Sequence, residues 1–302
     1  MENPFSQIIL GTAQLGMPYG LGKWKHDLMP EGEAFAILDA AWEQGITTLD
    51  TSPEYGVAEE RIAKYLEENP DKSFHVISKI KTIPDDDRAV GAALQSWFKS
   101  CPFINLNNSA SLTLMLHRET DIYRNAVIEG LNEMKAQEKL FCWGVSVYKE
   151  TTARYAAETD SCFVVQLPFG VLNQAFGRNG VIELLSKQKK IVMARSVFSQ
   201  GLLVSYGQNS IKLEEATIHL IDRLHALLTA QNFFINDFAV AVAMHEKGLN
   251  HLVLGADTAD QLLSWKIHET SSETLNVPAE ILKQLRELNS ASLKPQKWKN
   301  VS

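Results

Sequence analysis

Short apolar runs alternate along the chain with longer segments in which apolar residues recur every three or four positions. The first run covers residues 8–10 and ends at Gly11, and residues 31–44 then carry apolar side chains at helical spacing. The alternation continues to the C-terminal part of the chain. It predicts eight strands, at residues 8–10, 47–49, 75–79, 112–116, 142–146, 163–167, 191–194 and 251–254.

Amphipathic helical segments follow the predicted strands. They cover residues 31–44, 58–68, 89–99, 123–139, 150–157, 180–190 and the span 214–247, with an additional helix at 278–288. Short, continuously apolar strands are typical of a parallel sheet that is covered on both faces. Eight such units over about 250 residues fit a (β/α)8 TIM barrel of the α/β class.

A doubly wound sheet is the competing architecture for alternating strands and helices. A dinucleotide-binding version should carry G-x-G-x-x-G directly after its first strand. Here the first strand runs into GTAQLG at residues 11–16, which does not fit that pattern. No linker rich in proline, serine or glycine divides the chain. We therefore predict one barrel domain over residues 1–302, with an extra C-terminal helix.

Composition and charge exclude several classes of function. The chain is 45% hydrophobic and 22% charged, which is typical of a globular protein. Its net charge of -7 gives no reason to expect nucleic-acid binding. No apolar stretch reaches about 18 residues, and the N-terminus lacks the pattern of a signal peptide. The three cysteines are widely spaced, which argues against disulfides and zinc. We expect a cytoplasmic protein without a metal; the oligomeric state stays open.

Four reactive side chains lie near the C-terminal ends of successive predicted strands. Asp50 follows strand two, Lys79 ends strand three and His117 follows strand four, while Tyr55 lies five residues beyond Asp50. Reactive groups of a barrel gather at these ends. A phenol has a pKa of about 10, and a nearby ammonium favours its ionised form. The four groups together suit proton transfer to a carbonyl oxygen.

Each of these four residues also has a structural interpretation. Tyr55 fits a partly buried core tyrosine, Lys79 a strand cap and His117 a core histidine. Their placement at successive strand ends favours one shared site over four unrelated roles.

The string TLDTSPEYG at residues 48–56 resembles the signature of the aldo-keto reductases. The counterparts at other strand ends are Gly11-Thr12, Ser78-Lys79, Leu116-His117-Arg118 and Gly144-Val145-Ser146, and the similarity covers about residues 7–265. The resemblance implies reduction of an aldehyde, ketone or sugar-type carbonyl with NAD(P)H. It also implies that Tyr55 is the general acid-base, that Lys79 and Asp50 tune it, and that His117 orients the carbonyl.

The same resemblance implies a set of cofactor contacts. Ser146 and Gln166 match the positions that hold the nicotinamide carboxamide. The segment 195–203 resembles the loop over the pyrophosphate, and the segment after strand eight resembles the adenosine-phosphate site. The implied contacts of these two segments are Arg195, Ser196, Phe198, Gln200, Gly255, Thr258 and Gln261.

Three residues depart from the family pattern near the cofactor. Val147 stands where asparagine is usual, Arg195 where an aromatic side chain often stacks on the nicotinamide, and Trp265 where asparagine is usual. Relatives that prefer NADPH commonly place lysine or arginine near the 2'-phosphate, whereas this chain has Asp257 and Asp260. The family slightly favours NADPH, the local residues do not, and both NADPH and NADH remain candidates.

The loop after strand one contains aromatic side chains with two interpretations. Tyr19 and Trp24 either line the substrate mouth or pack their own loop. We assign them to the substrate site.

Two rival functions remain. A slow, cofactor-binding regulatory protein on the same barrel is motivated by the three departures. A Schiff-base enzyme using Lys79 requires a depressed lysine pKa, which Asp50 opposes.

Overall fold

Eight parallel strands close into a barrel in this computed structural model, which describes residues 3–104, 112–204, 213–265 and 278–288. Each strand pairs with its neighbours in sequence, and the last pairs with the first. The strands are β1 Ile8–Gly11, β2 Thr48–Asp50, β3 His75–Ile80, β4 Leu112–Leu116, β5 Cys142–Ser146, β6 Val164–Pro168, β7 Ile191–Arg195 and β8 His251–Leu254.

Helices separate the strands in sequence. The first lie after β1 and β2, namely α1 Ala13–Gly16, α2 Glu31–Glu43 and α3 Ala58–Glu68. The others are α4 Val90–Ser100, α5 Asn125–Ala136, α6 Glu150–Glu158, α7 Ala175–Arg178, α8 Val181–Lys187, α9 Glu215–Ala230, α10 Ile235–Met244, α11 Ala259–Leu263 and α12 Ala279–Glu287. Short 3-10 helices occur at Asp87–Ala89, Glu119–Tyr123 and Ser199–Gly201.

The (β/α)8 architecture predicted from the alternating pattern is confirmed. The ends of the eight strands differ from the predicted ends by at most one residue. Helix ends differ more, since α5 begins two residues later and ends three residues earlier than its apolar pattern suggests. The predicted C-terminal helix is present as α12, which contacts α7 and α9 on the outside of the barrel.

Alternating side chains of the strands form two apolar layers. Ile8 and Leu10 of β1 join the large cluster between the strands and the helices, whereas Ile9 points into the barrel. The inner cluster is completed by Phe5, Ile77, Met115, Cys142, Val164, Met193 and Val253. Strands with both faces buried explain why the runs are continuously apolar. The filled interior leaves the carboxyl ends of the strands as the open end of the barrel.

In the described part of the chain no single helix is long and apolar enough to cross a membrane. The consecutive helices α9 and α10 together have the length and composition of a membrane span, but they are bent by 105° at their junction.

The N-terminal segment closes the opposite end of the barrel around two histidines. Phe5 packs edge-on against His75 and His251, with ring centroids 4.8 and 5.6 Å away. Nε2 of His75 lies 2.8 Å from Thr113 Oγ1. Burial lowers the pKa of His75 to about 4, because the charged imidazole loses its hydration there.

Because His75 is buried in its neutral form, we expect the folded protein to lose stability in mild acid. Its ordinary pKa is 6.5, so the unfolded chain binds the proton below that pH while the folded chain does not until about pH 4. We expect the free energy of unfolding to fall by about 2 kcal/mol from this group between pH 7 and pH 5. His75→Gln keeps a polar partner for Thr113 and cannot titrate. Urea unfolding at both pH values should show a smaller fall in this variant, and equal falls would contradict the assignment.

Candidate active site

The four residues predicted from the strand ends lie together at the open end of the barrel. Asp50 is the last residue of β2, Lys79 lies near the end of β3, and His117 directly follows β4. Tyr55 lies in the turn between β2 and α3. All four line one cavity of about 260 Å³. The parallel register of β2, β3 and β4 brings their ends together.

Lys79 is the centre of this arrangement. Its side chain is 1% exposed, and Nζ donates to Asp50 Oδ1 at 2.6 Å and to the Thr51 carbonyl at 2.9 Å. The Tyr55 ring lies beside the ammonium, with its centroid 5.0 Å from Nζ, and the two groups interact electrostatically. Burial opposes the charge on Lys79, but Asp50 and Tyr55 together raise its pKa. The lysine is therefore a buried cation with three partners, which is the opposite of a nucleophilic amine.

Asp50 connects the lysine to two further strands. Its Oδ2 accepts from Gln166 Nε2 at 2.7 Å, and Gln166 Oε1 accepts from Ser146 Oγ at 3.4 Å. Ser146 and Gln166 are register partners on β5 and β6, which explains their contact. Both carboxylate oxygens of Asp50 are thus hydrogen-bonded, as a buried charge requires.

The pKa of Tyr55 differs from the prediction. Proximity of an ammonium was expected to lower it, and Lys79 does act in that direction. Burial is the larger effect, however, and Asp50 adds to it, so the pKa of Tyr55 lies above 10.0. The prediction of a lowered pKa was wrong because it left out the cost of desolvating the phenolate. In this structure Tyr55 is a protonated acid at neutral pH.

His117 contacts a residue that the sequence did not single out. Its Nδ1 lies 2.8 Å from Glu54 Oε2, although the two atoms are not aligned for a hydrogen bond. Glu54 also forms an ion pair with Lys81. Burial lowers the pKa of His117, Lys79 adds to this effect, and Glu54 opposes it. Since Nδ1 faces Glu54, Nε2 is the ring nitrogen that remains for a ligand.

The loop after β7 forms one wall of the cavity and has an unusual backbone. Ser196, Ser199 and Gln200 all have positive φ angles, of 61°, 51° and 55°, and Gly201 follows at 90°. Side-chain-bearing residues rarely adopt this region, and such strain concentrates at functional sites. Alternation of right- and left-handed backbone conformations produces concavities of N–H groups that suit anions.

Arg195, at the end of β7, crosses the cavity wall toward β5. Its Nε donates to Ser146 Oγ at 3.3 Å, and Nη2 donates to the Val147 carbonyl at 3.2 Å. The guanidinium also lies over the ring of Tyr148, 4.1 Å from the centroid. Val147, which stands where the family usually has asparagine, is buried, and its carbonyl accepts this hydrogen bond from Arg195.

The loop after β1 contacts the loop after β7 and the loop after β8. The Leu21 N–H donates to the Gln200 carbonyl at 3.0 Å, and Gln200 Nε2 donates to the Tyr19 hydroxyl at 3.2 Å. A Cβ on Gly22 would lie 1.8 Å from an oxygen of Asp257, so any larger residue here would displace the Asp257 carboxylate. The β1, β7 and β8 loops consequently form a continuous rim around the cavity.

Two predicted site residues do not line the cavity. Trp24, expected at the substrate mouth, is instead partly buried against the apolar core, and its Nε1 donates to the Asp257 carbonyl at 2.7 Å. Thr258, expected at the cofactor, instead caps α11 through a hydrogen bond from the Gln261 N–H. Tyr19 and the remaining predicted cofactor residues do line it, namely Ser146, Gln166, Arg195, Ser196, Phe198, Gln200, Gly255 and Gln261.

Comparison with known proteins decides the family. The model of the aldo/keto reductase family matches residues 7–266, which is most of the chain and includes every strand of the barrel. The chain belongs to the aldo/keto reductase family. Membership makes it an oxidoreductase of a family that acts on small-molecule carbonyl compounds and generally uses NAD(P)H.

Solved aldo-keto reductases share the fold of this chain. Glycerol dehydrogenase AKR11B4 from Gluconobacter oxydans is 18% identical with a TM-score of 0.71, over 95% of this chain and 92% of that one. The aldo-keto reductase AKR11C1 from Bacillus halodurans, in its holo form, is 17% identical with a TM-score of 0.71, over 94% and 93%. At this identity the likeness shows the barrel alone.

One curated relative matches a short segment of the chain. A D-threo-aldose 1-dehydrogenase of a Pseudomonas species is 40% identical over 53 residues. The match covers 17% of this chain and 16% of that relative. It indicates kinship within the family and carries no substrate over to this protein.

The aldo-keto reductase site also contains residues that the sequence did not single out. Glu54 precedes Tyr55 in the family string, so its place beside the tyrosine was visible, but its contact with His117 was not. Tyr148 and Gln14 line the cavity as well. Tyr148 follows Val147 directly after β5, and that position at a strand end was the one available signal.

Because Lys79 and Asp50 form a buried ion pair, we expect substitutions of the two residues to have strongly non-additive effects on the free energy of unfolding. Lys79→Met leaves Asp50 buried without its cation, and we expect a loss of about 3–5 kcal/mol in the free energy of unfolding. Asp50→Asn in the Lys79→Met background removes that stranded charge and keeps an oxygen for Gln166 Nε2. Chemical denaturation should then recover at least about 1 kcal/mol. Additive losses in the double variant would contradict a tightly coupled pair.

Proposed function

We propose that this aldo-keto reductase reduces an aldehyde, ketone or sugar-type carbonyl to an alcohol with NAD(P)H. The observation that carries the proposal is the buried ammonium of Lys79, which contacts Asp50 on one side and the Tyr55 hydroxyl on the other. Buried charges of this kind are costly, and their occurrence beside a cavity is typical of catalytic sites.

Tyr55 is the proton donor in this proposal. Its hydroxyl lies beside the Lys79 ammonium, which acts on the phenol oxygen, and its hydrogen is available to a carbonyl oxygen in the cavity. Because burial raises the pKa of Tyr55, the group is protonated at neutral pH. Lys79 then stabilises the phenolate that proton donation leaves behind.

His117 orients the carbonyl in the same proposal. The ring lines the cavity, and burial keeps its pKa below the ordinary value, so it acts as a neutral hydrogen-bonding group. Glu54 lies 2.8 Å from Nδ1 of the ring, which leaves Nε2 as the nitrogen for the carbonyl oxygen. In this proposal the neutral ring carries its hydrogen on Nε2, since Nδ1 has no hydrogen-bond partner among the described residues, and Nε2 donates to the same carbonyl oxygen as Tyr55.

The residues present fit a nicotinamide cofactor, which supplies the hydride when bound. Ser146 retains one acceptor position after its bonds to Gln166 and Arg195. Gln166 retains one N–H and one acceptor position after its bonds to Asp50 and Ser146. A carboxamide needs both kinds of partner. The alternation of left-handed residues (Ser196, Ser199, Gln200 and Gly201) with right-handed ones in this loop favours a site for the pyrophosphate.

Asp257 favours NADH over NADPH in the proposed site. It lines the cavity beside Gly255 and Gln261, whereas the basic residues that line the described cavity, Lys79 and Arg195, belong to the catalytic end. A carboxylate can accept from a ribose hydroxyl and repels a 2'-phosphate. The family's slight preference for NADPH is therefore opposed by the local charge.

Replacing Tyr55 by phenylalanine tests the catalytic proposal. We expect carbonyl reduction to fall by about a hundred- to ten-thousandfold, because the proton donor is lost. Cofactor binding, followed by nicotinamide fluorescence, should survive. Tyr123→Phe, outside the cavity, is the matched control and should retain full activity.

The same experiment separates the enzyme from the slow regulatory alternative. If the unaltered protein turns over a panel of aldehydes, ketones and sugars no faster than the Tyr55→Phe variant, while both bind the cofactor, the regulatory interpretation is favoured. If the unaltered protein binds neither NADH nor NADPH, both the enzyme proposal and the regulatory interpretation are refuted.

Cofactor preference is tested by titration with both nucleotides. We expect NADH to bind about tenfold more tightly than NADPH, and Asp257→Asn to narrow this ratio by removing the charge. The amide oxygen of asparagine can still accept the Lys23 N–H, so the loop contact is kept. Asp71→Asn, at an exposed position outside the cavity, should leave the ratio unchanged. Tighter binding of NADPH to the unaltered protein would contradict the proposal.

A further inference from the structure

Arg195 is a charged group of the cavity without an acidic partner. Asp50 and Lys79 neutralise each other, and Asp257 accepts from the Lys23 N–H at 3.1 Å. In the described part of the chain, by contrast, no carboxylate lies within 4.0 Å of the Arg195 guanidinium. The catalytic end of the cavity consequently has an uncompensated positive charge.

The guanidinium is held in one orientation with most of its donors unused. Of its five N–H groups, one on Nε binds Ser146 Oγ and one on Nη2 binds the Val147 carbonyl. The ring of Tyr148 supports one face. Three N–H groups, including both on Nη1, have no acceptor among the described residues. A fixed fork of this kind matches the paired oxygens of a carboxylate or a phosphate.

Tyr19 supplies a second donor in the same part of the cavity. Its hydroxyl oxygen accepts from Gln200 Nε2, so its hydrogen is available to a ligand. Burial raises the pKa of Tyr19 to about 12, which keeps that hydrogen in place at neutral pH. Tyr55 and Arg195 both influence this pKa, and Arg195 also lowers the pKa of Tyr55. All three groups line the same cavity.

We infer that the substrate carries an anionic oxygen group beside its carbonyl, and that Arg195, with Tyr19, binds this anion while Tyr55 acts on the carbonyl oxygen. The inference rests on the proposed carbonyl reduction. The shared chemistry is a carboxylate, as in an oxo acid, or a phosphate ester, as in a sugar phosphate. Arg195 is then a specificity-determining residue.

Matched pairs of aldehydes test this inference. 4-Carboxybenzaldehyde is compared with its neutral isostere 4-formylbenzamide, and glyceraldehyde 3-phosphate with glyceraldehyde, each as the ratio of kcat/KM values. We expect at least one anionic member to be favoured by about tenfold or more, because a charge-assisted pair forms only with the anion. The favoured pair identifies the carboxylate or the phosphate as the recognised group.

Two variants of Arg195 connect that preference to the guanidinium. Arg195→Met should reduce the anionic-to-neutral ratio by about tenfold, and Arg195→Lys should restore part of it, since the charge returns without the fork. Arg88→Met removes an exposed arginine outside the cavity and should leave the ratio unchanged. An equal ratio in the unaltered protein and in Arg195→Met would overturn the inference and leave the proposed reduction standing.

A binding experiment separates the inference from the proposed function. Calorimetric titration compares 4-(hydroxymethyl)benzoate with 4-(hydroxymethyl)benzamide and needs no turnover. Tighter binding of the benzoate that is lost in Arg195→Met supports the anion site even if no carbonyl is reduced, in which case only the proposed function fails. If Arg195→Met weakens nicotinamide binding and leaves the preference for the benzoate intact, the arginine serves the cofactor and the inference is wrong.

Discussion

The buried ion pair between Lys79 and Asp50 is the constraint on which the rest of the site depends. Removing two charges from water costs several kcal/mol for each ion, and their attraction offsets this cost only with further hydrogen bonds. The structure provides them through the Thr51 carbonyl and Gln166, and the Tyr55 hydroxyl interacts with the same ammonium. A closed barrel can place these partners because the ends of adjacent strands are fixed by register. The Tyr55 phenol therefore lies beside the Lys79 ammonium, whose position is fixed by its hydrogen bonds to Asp50 and Thr51.

The architecture could be predicted because each strand carries its own boundary signal. A strand buried on both faces is an unbroken apolar run, and the polar residue that ends it lies at the open end of the barrel. Asp50 and Lys79 were found by this rule. Helix ends have weaker signals here, since α11 alone among the described α-helices has a side-chain N-cap, from Thr258. The limits of α5 therefore depend on packing against neighbours.

The remaining features depend on contacts between loops that are distant in sequence. Trp24 lies outside the cavity lining, where a carbonyl in the β8 loop accepts its N–H, and no pattern near Trp24 encodes that partner. The pKa of Tyr55 is a balance between burial and two charges, and burial is a property of the assembled rim. Sequence identified the chemical groups, whereas their electrostatic balance required the three-dimensional arrangement.

A continuous chain of hydrogen bonds joins the proposed anion site to the acid. It runs from Arg195 through Ser146, Gln166 and Asp50 to the lysine beside Tyr55. The uncompensated charge of Arg195 lowers the pKa of Tyr55, in opposition to burial. An anion bound to Arg195 would cancel that charge and let the pKa rise, so the phenol would hold its proton more firmly when a substrate is present. In the proposed reaction, recognition of the anion and protonation of the carbonyl would thus be electrostatically coupled, and a neutral substrate would leave the charge of Arg195 uncompensated.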